Sequence, residues 1–324
     1  MLVLKCEIII DTQSGQTITY DYVSDINIVT SIINFTDTCK ITVPKKIKYK
    51  EKDITSYIRK NDKITVKLGY LNQINTVFKG YIKSISTDTP IEILCENESY
   101  VLKQKKVAPT LYDSLKLKDF INEYLPEYET KVTDVNLGEI RIANETSVAN
   151  VLDFIAKKYP LRFYFKNDIF YAGLPTALLQ DVQNVIKFKK GVNFEKNNLQ
   201  YTLADDINVQ IVAKAILKDN TALEAKVPEN AEKAEIHTFY DAQAETIEDL
   251  KIFANEKLLE FKKDKMTGSF TAFGVPYVQK GDVVHLFDDL NKERNDKQFV
   301  AEKVVYNFGQ SGYSQEITLG DEIK

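Results

Sequence analysis

The sequence predicts a mainly β protein with an α/β insert: two tube-like antiparallel β-barrel domains flanking a small helix-hairpin module. Three observations predict it. Residues 266–319 read as a strand, a Gly turn and a hairpin in succession. Lys63 to Tyr70 places Ile64, Val66, Leu68 and Tyr70 on one face and Lys63, Thr65 and Lys67 on the other, the period of a half-buried antiparallel strand. Between about 108 and 184 the apolar period lengthens from two to near 3.6. A chain of 324 residues exceeds what one core usually serves, so two or three domains are expected, and the changes of period divide it at 1–107, 108–184 and 185–324.

The first region carries strand candidates at 2–11, 17–30 with a break, 35–43, 63–68, 77–86 and 91–96. Lys5 and Glu7 interrupt the apolar N-terminus and no small-residue cleavage site follows, so it reads as a strand rather than a signal peptide. Gly80, in mid-strand, asks for a bulge or a close backbone approach.

In the second region Leu117, Phe120, Ile121, Tyr124 and Leu125 share one helical face, and Pro126 stops the run. A second helix takes Thr146 as its N-cap, buries Val148, Val151, Leu152, Ile155 and Tyr159, and ends at Pro160. Asn167 and Asp168 tolerate left-handed backbone and so turn a hairpin between 161–165 and 169–172. The loop 173–183 ends the module.

The third region returns to strands at 186–188, 198–203, 207–217, 234–239, 269–273, 283–287, 299–308 and 313–319. One helix interrupts them: Thr246 caps it, Asp249 stands at N3 as in a capping box, and Ile247, Leu250, Phe253, Ala254, Leu258 and Phe261 form its apolar stripe. Lys280-Gly281-Asp282 is a turn that Gly enters at positive φ, 288–297 a polar loop, and Gly309-Gln310-Ser311-Gly312 a hairpin turn rather than a nucleophile elbow, because the GxSxG spacing fails.

A hydrophobic content of 44% with 28% charged residues is that of a globular chain, and a net charge of −4 gives no general attraction to nucleic acid or to an anionic membrane. No apolar run approaches the ~20 residues that span a bilayer. The lysine pairs at 45–46, 105–106, 189–190 and 262–263 read as solvated element ends. Cys6, Cys39 and Cys95, odd in number and set in strands, read as small buried residues of a reducing compartment. With only His237 and His285 there is no HExxH, no zinc cluster and little material for a triad, and no phosphate-cradling Gly loop occurs. Thus no catalytic, cofactor-binding or metal-ligating residue is assigned, no cofactor is expected, and the chain is read as not an enzyme. Two alternatives come from composition: 47 Asp and Glu supply many carboxylate pairs for a peptidoglycan hydrolase, and 18 Tyr with 17 Phe supply stacking surfaces for a carbohydrate-binding module.

Two stretches carry a resemblance. The entry FGVPYVQKGDVV, a polar loop and FVAEKVVYNFGQSGYSQEITL resemble the last barrel of phage tail baseplate hub proteins, the late control protein D group. ITSYIRKNDKITVKLGYLNQINTVFKGYIKSIS followed by IEILCENESYVLK is similar to the first barrel of that group. Together they cover roughly half the chain, in the right order. The resemblance implies a structural, trimeric ring joining a sixfold tail tube to a threefold central spike. Its partners would be copies of itself, the tube protein, a spike and wedge proteins, with no membrane and no specific nucleic acid. It implies a place in the virion baseplate, after synthesis in the bacterial cytoplasm. Because the chain ends just after its last strand, the spike is expected on a separate polypeptide. The two barrel regions should then share strand order.

Overall fold

The structure, a computed structural model, describes residues 3–44, 48–49, 52–178, 185–216, 221–241, 244–287 and 296–323. Lys45 and Lys46, and most of the polar loop expected at 288–297, lie outside these residues. Contacts group the chain into two units, residues 1–197 with 269–324, and residues 198–268.

In the first unit thirteen strands make one sheet. From the N-terminal region come β1 (Leu4–Asp11), β2 (Thr17–Tyr20), β3 (Asp25–Ser31), β4 (Thr38–Val43), β5 (Lys63–Tyr70), β6 (Gln73–Ile85) and β7 (Ile91–Glu96). The helical part adds α1 (Leu117–Tyr124), α2 (Val148–Lys158) and a hairpin of β8 (Arg162–Lys166) and β9 (Ile169–Gly173). Strands β10 (Val185–Lys189) and β11 (Phe194–Asn197) precede the second unit. That unit holds β12 (Gln200–Thr202), β13 (Val209–Ile216), β14 (Ala222–Val227), β15 (Glu235–Tyr240), α3 (Ile247–Phe261) and β16 (Lys265–Thr267). Finally β17 (Ser269–Phe273), β18 (Val283–Phe287), β19 (Lys297–Gly309) and β20 (Gly312–Ile323) return to the large sheet.

The chain is mainly β with a small helical part, as its alternation of apolar and polar residues predicts. The expected barrels are open, however. The sheet runs β11-β17-β20-β19-β3-β4-β7-β6-β5-β1-β2, with β18 beside β19 and β10 beside β18. Among the described residues an isolated bridge, Lys190 to Phe194, joins β10's end to β11, and no pairing joins β2 to β3.

The sheet contains a repeat. Neighbours in its first half run β1-β5-β6-β7-β4-β3, and in its second half β10-β18-β19-β20-β17-β11, each series taken in the same chain order. The two halves also share local details. A one-residue bulge interrupts β6 and β7 between Ile82 and Ser84, and the same bulge interrupts β19 and β20 between Ala301 and Lys303. The turn into β5 repeats the turn into β18. Arg59 N donates to the Asp62 carboxylate at 2.6 Å and Gln279 N to that of Asp282 at 2.7 Å. Asn61 N donates to Ile82 O at 2.8 Å and Gly281 N to Ala301 O at 2.7 Å. The halves also differ: β1 is antiparallel to β5 whereas β10 is parallel to β18, β2 has no second copy among the described residues, and further bulges between Val66 and Lys67, Phe194 and Lys196, and Phe299 and Ala301 each occur in one half alone.

Asn61 and Gly281 both have φ of 73°. Nothing lies closer than 3.6 Å to a Cβ built on Gly281, so backbone conformation rather than space selects Gly there. Gly281→Asn should therefore be near neutral, since Asn enters this region readily. Gly281→Val should lose about 1–3 kcal/mol in thermal unfolding. Equal melting temperatures for the two variants would contradict this reading.

Ile8, Ile10, Ile26, Ile28, Ile41 and Val66 fill the first half, each fully buried. In the second half Phe270 meets Phe188 at 5.0 Å and Phe194 at 4.9 Å between ring centres. Leu117, Phe120, Ile121, Leu152, Ile155 and Phe170 form the core of the helical part. Asn167 and Asp168 make its hairpin turn with φ of 52° and 65°.

Some local expectations are corrected. The cap of α2 is Ser147, whose Oγ accepts from Asn150 N at 3.2 Å, because Thr146 and Ser147 both pair with residues 106–107 and keep the chain extended up to Val148. Gly80 lies in regular register between bulges at Val77 and Lys83, so it is the close approach of Glu96 that requires it. Strand β14 was missed, since exposed Ala222, Glu224 and Lys226 alternate only weakly with Leu223, the small Ala225 and Val227. The capping box of α3 is present as expected, and of its stripe Leu250 and Ala254 are buried with Phe253, Leu258 and Phe261 partly buried in the same core, but Ile247 is 44% exposed.

Candidate functional site

The most heavily built polar place in the first unit lies where its two halves meet. Beside β3, the second part of β19 pairs Lys303 with Ser31, Val305 with Val29 and Asn307 with Asn27. The turn before β18 points Lys280 into this junction, where only 4% of it is exposed. Its ammonium donates to both Asp37 oxygens, at 2.7 and 2.5 Å, and to Ser31 O at 3.2 Å. Asp37 also accepts from Ser31 N at 3.0 Å and from the Asn97 amide at 3.1 Å. The Tyr164 ring lies 5.7 Å from the ammonium. Burial pushes the Asp37 carboxyl up and the Lys280 ammonium down, while each charge opposes the shift of the other.

Beside this pair is a cavity of about 240 Å³, lined among others by Phe78, Lys79, Glu98, Asn167, Tyr277 and Gln279. Its charged groups are answered by one another. Lys79 pairs with Asp168, Lys166 donates to Asp282 at 2.7 Å, and Gln279 donates to Asn167 at 3.1 Å. Glu98 accepts from Tyr128 at 2.9 Å and from Tyr81 at 3.3 Å. Such mutual satisfaction makes a joint that clips the β8–β9 hairpin to the sheet; no nucleophile stands beside a base there.

The residues considered for chemistry are dispersed. His285 meets Asp296 at 2.5 Å. His237 packs on Phe261 with ring centres 4.4 Å apart. Cys6, Cys39 and Cys95 are buried free thiols, as expected, and burial raises all three, Cys6 to about 11. Gly309 to Gly312 is the expected hairpin turn. Among the described residues no group of three or more His, Cys, Asp or Glu could hold a metal ion. Among them too, no helix is long and apolar enough to cross a membrane. Sequence reasoning missed Lys280 and Asp37. The available signal was the recurrence of Lys-x-Asp at 60–62 and 280–282, which marks the repeated turn but does not point to its partner.

No protein-family model matches the chain, and no curated protein matches it in sequence. Solved structures do. The 43 kDa tail protein of prophage MuSo2 from Shewanella oneidensis matches with a TM-score of 0.66 at 13% identity, over 97% of this chain and 98% of that one. A tail protein from Neisseria meningitidis MC58 matches with a TM-score of 0.65 at 14% identity, over 98% and 97%. The Francisella PdpA-VgrG complex, half-lidded, matches with a TM-score of 0.58 at 10% identity, over 99% of this chain and 58% of that one. The chain has the fold shared by these tail and VgrG-complex proteins, in keeping with the resemblance to baseplate hub proteins.

Proposed function

We propose that this chain is a structural hub of a phage-type tail, three copies forming a ring between a sixfold tube and a threefold spike. The internal repeat carries this reading. Three chains with two near-equivalent halves each, within 1–107 and 185–324, present six similar surfaces to a tube ring. Residues 108–184, and 203–264 where the first half has only the short connection 32–35, occur once per chain and supply threefold features. The full-length likeness to phage tail proteins supports the same reading. Its partners are then copies of itself, the tube protein, a spike and baseplate wedge proteins, and its place is the baseplate.

Co-expression with the tube and spike proteins of the same particle, followed by native mass measurement, tests this. Complexes containing three copies are expected, and a chain that stays single in the presence of both proteins overturns the reading. As a structural part it should also leave a peptidoglycan suspension turbid. Clearing that one Asp or Glu substitution abolishes would make it a hydrolase.

A further inference from the structure

Two of the three thiols face each other. Cys39 of β4 and Cys95 of β7 are direct partners in the antiparallel ladder, and both are buried. Asn97 N donates to Asp37 O at 3.1 Å, and because bonded and unbonded pairs alternate from there, Cys39 with Cys95 is again a hydrogen-bonded pair. Its Cα atoms are then about 5.5 Å apart, inside the range of roughly 4.4–6.8 Å that a disulfide spans. The Cβ atoms of opposed residues stand about 4.5–5.5 Å apart, so an approach of about 1 Å brings the sulfurs to bonding distance. Cys6 is placed otherwise. It lies on β1 opposite Leu68 of β5, and its thiol donates to Asp21 O at 2.9 Å. The fold does not ask for sulfur at the facing pair: Ala301 meets Leu319 beside one bulge as Ile82 meets Cys95 beside the other, so in the second half Leu stands where Cys95 stands.

We propose that Cys39 and Cys95 form a modification site, a dithiol that a low-molecular-weight disulfide of the glutathione class oxidises to a bond between β4 and β7. One thiolate attacks the oxidant, which releases a first glutathione thiol and leaves a mixed disulfide. The other attacks the protein sulfur of that mixed disulfide and releases the second. Two electrons and two protons thus pass from the protein to two glutathione molecules. Burial pushes both thiols up, so the exchange is slow and proceeds through local opening of the strands. The bond lies two residues from Asp37, which takes Lys280, and two from Asn97, which donates to Asp37. It therefore staples the two strands that hold the lock at the junction. Its setting rests on the hub reading above, a chain made in a reducing cytoplasm and serving in a released particle, where a disulfide persists.

The test is to hold the full-length chain in oxidised glutathione with dilute urea, then alkylate and digest it. One pair of peptides joined through Cys39 and Cys95 is expected, with Cys6 alkylated and the melting temperature raised by about 5 °C or more. The same treatment in full denaturant is the contrast, because there loop closure favours the shorter loop, from Cys6 to Cys39. Cys6→Ser should form the native bond unchanged, and Cys95→Val should form none and gain no stability from the oxidant. Three alkylated thiols after native treatment, a glutathione adduct that goes no further, or a bond through Cys6 overturns the proposal. These results leave the hub reading standing, since no partner is present, and a chain that stays single in the co-expression above leaves the bond standing.

Discussion

Lys280→Ala is expected to cost about 3–5 kcal/mol of stability, the usual loss when one partner of a buried ion pair is removed. The loss comes mainly from what remains. Asp37 would keep its contacts with Ser31 and Asn97 but would face a cavity with no counter-charge at a site where only 6% of it is exposed. The double variant Lys280→Met with Asp37→Leu should recover most of the loss, because apolar groups of similar size need no desolvation compensated. Urea unfolding of the three proteins separates the possibilities. If Lys280→Ala unfolds like the parent, the pair is not the lock between the halves that its geometry describes.

Gly80→Ala should be nearly as damaging, at about 3 kcal/mol or more, although it adds one methyl group. A Cβ there would lie 2.1 Å from Glu96 O and 2.8 Å from Asn97 Cα, both backbone atoms that a side-chain rotation cannot move. To make room, β6 would have to part from the end of β7, where the Glu96 carboxylate is held by Lys83 and Lys103 at 2.6 Å each. Gly15→Ala provides the contrast. It has φ of 80° but open space around it, so it should lose about 1 kcal/mol from backbone strain alone. A shift for Gly80→Ala no larger than that for Gly15→Ala would mean that the approach of β7 is looser than described.

What the sequence makes legible is what neighbours in sequence decide. The alternation of Lys63 to Tyr70, the capping box of Thr246 and Asp249, and the left-handed pair Asn167-Asp168 each specify their own geometry within a few residues. Thr146 was taken for a cap because the pairing that keeps both Thr146 and Ser147 extended, and so starts the helix one residue later, depends on another segment. The junction was illegible for the same reason on a larger scale. Asp37 and Lys280 are 243 residues apart, and nothing local to either says that it will be buried. The repeat itself is hidden by divergence: Lys60-Asn61-Asp62 and Lys280-Gly281-Asp282 preserve the turn, while the strands around them keep only their polarity pattern. Insertion of the second unit between equivalents of β3 and β4 hides it further, by moving the partners β11 and β17 far apart in sequence.

The measurement that bears most directly on a repeat-built hub is electron microscopy of the chain assembled with its tube and spike proteins. The expected image is a ring of three copies with six similar lobes, the first and second halves alternating around a common channel. A ring of six copies, or three copies whose two halves do not share one ring, would contradict it.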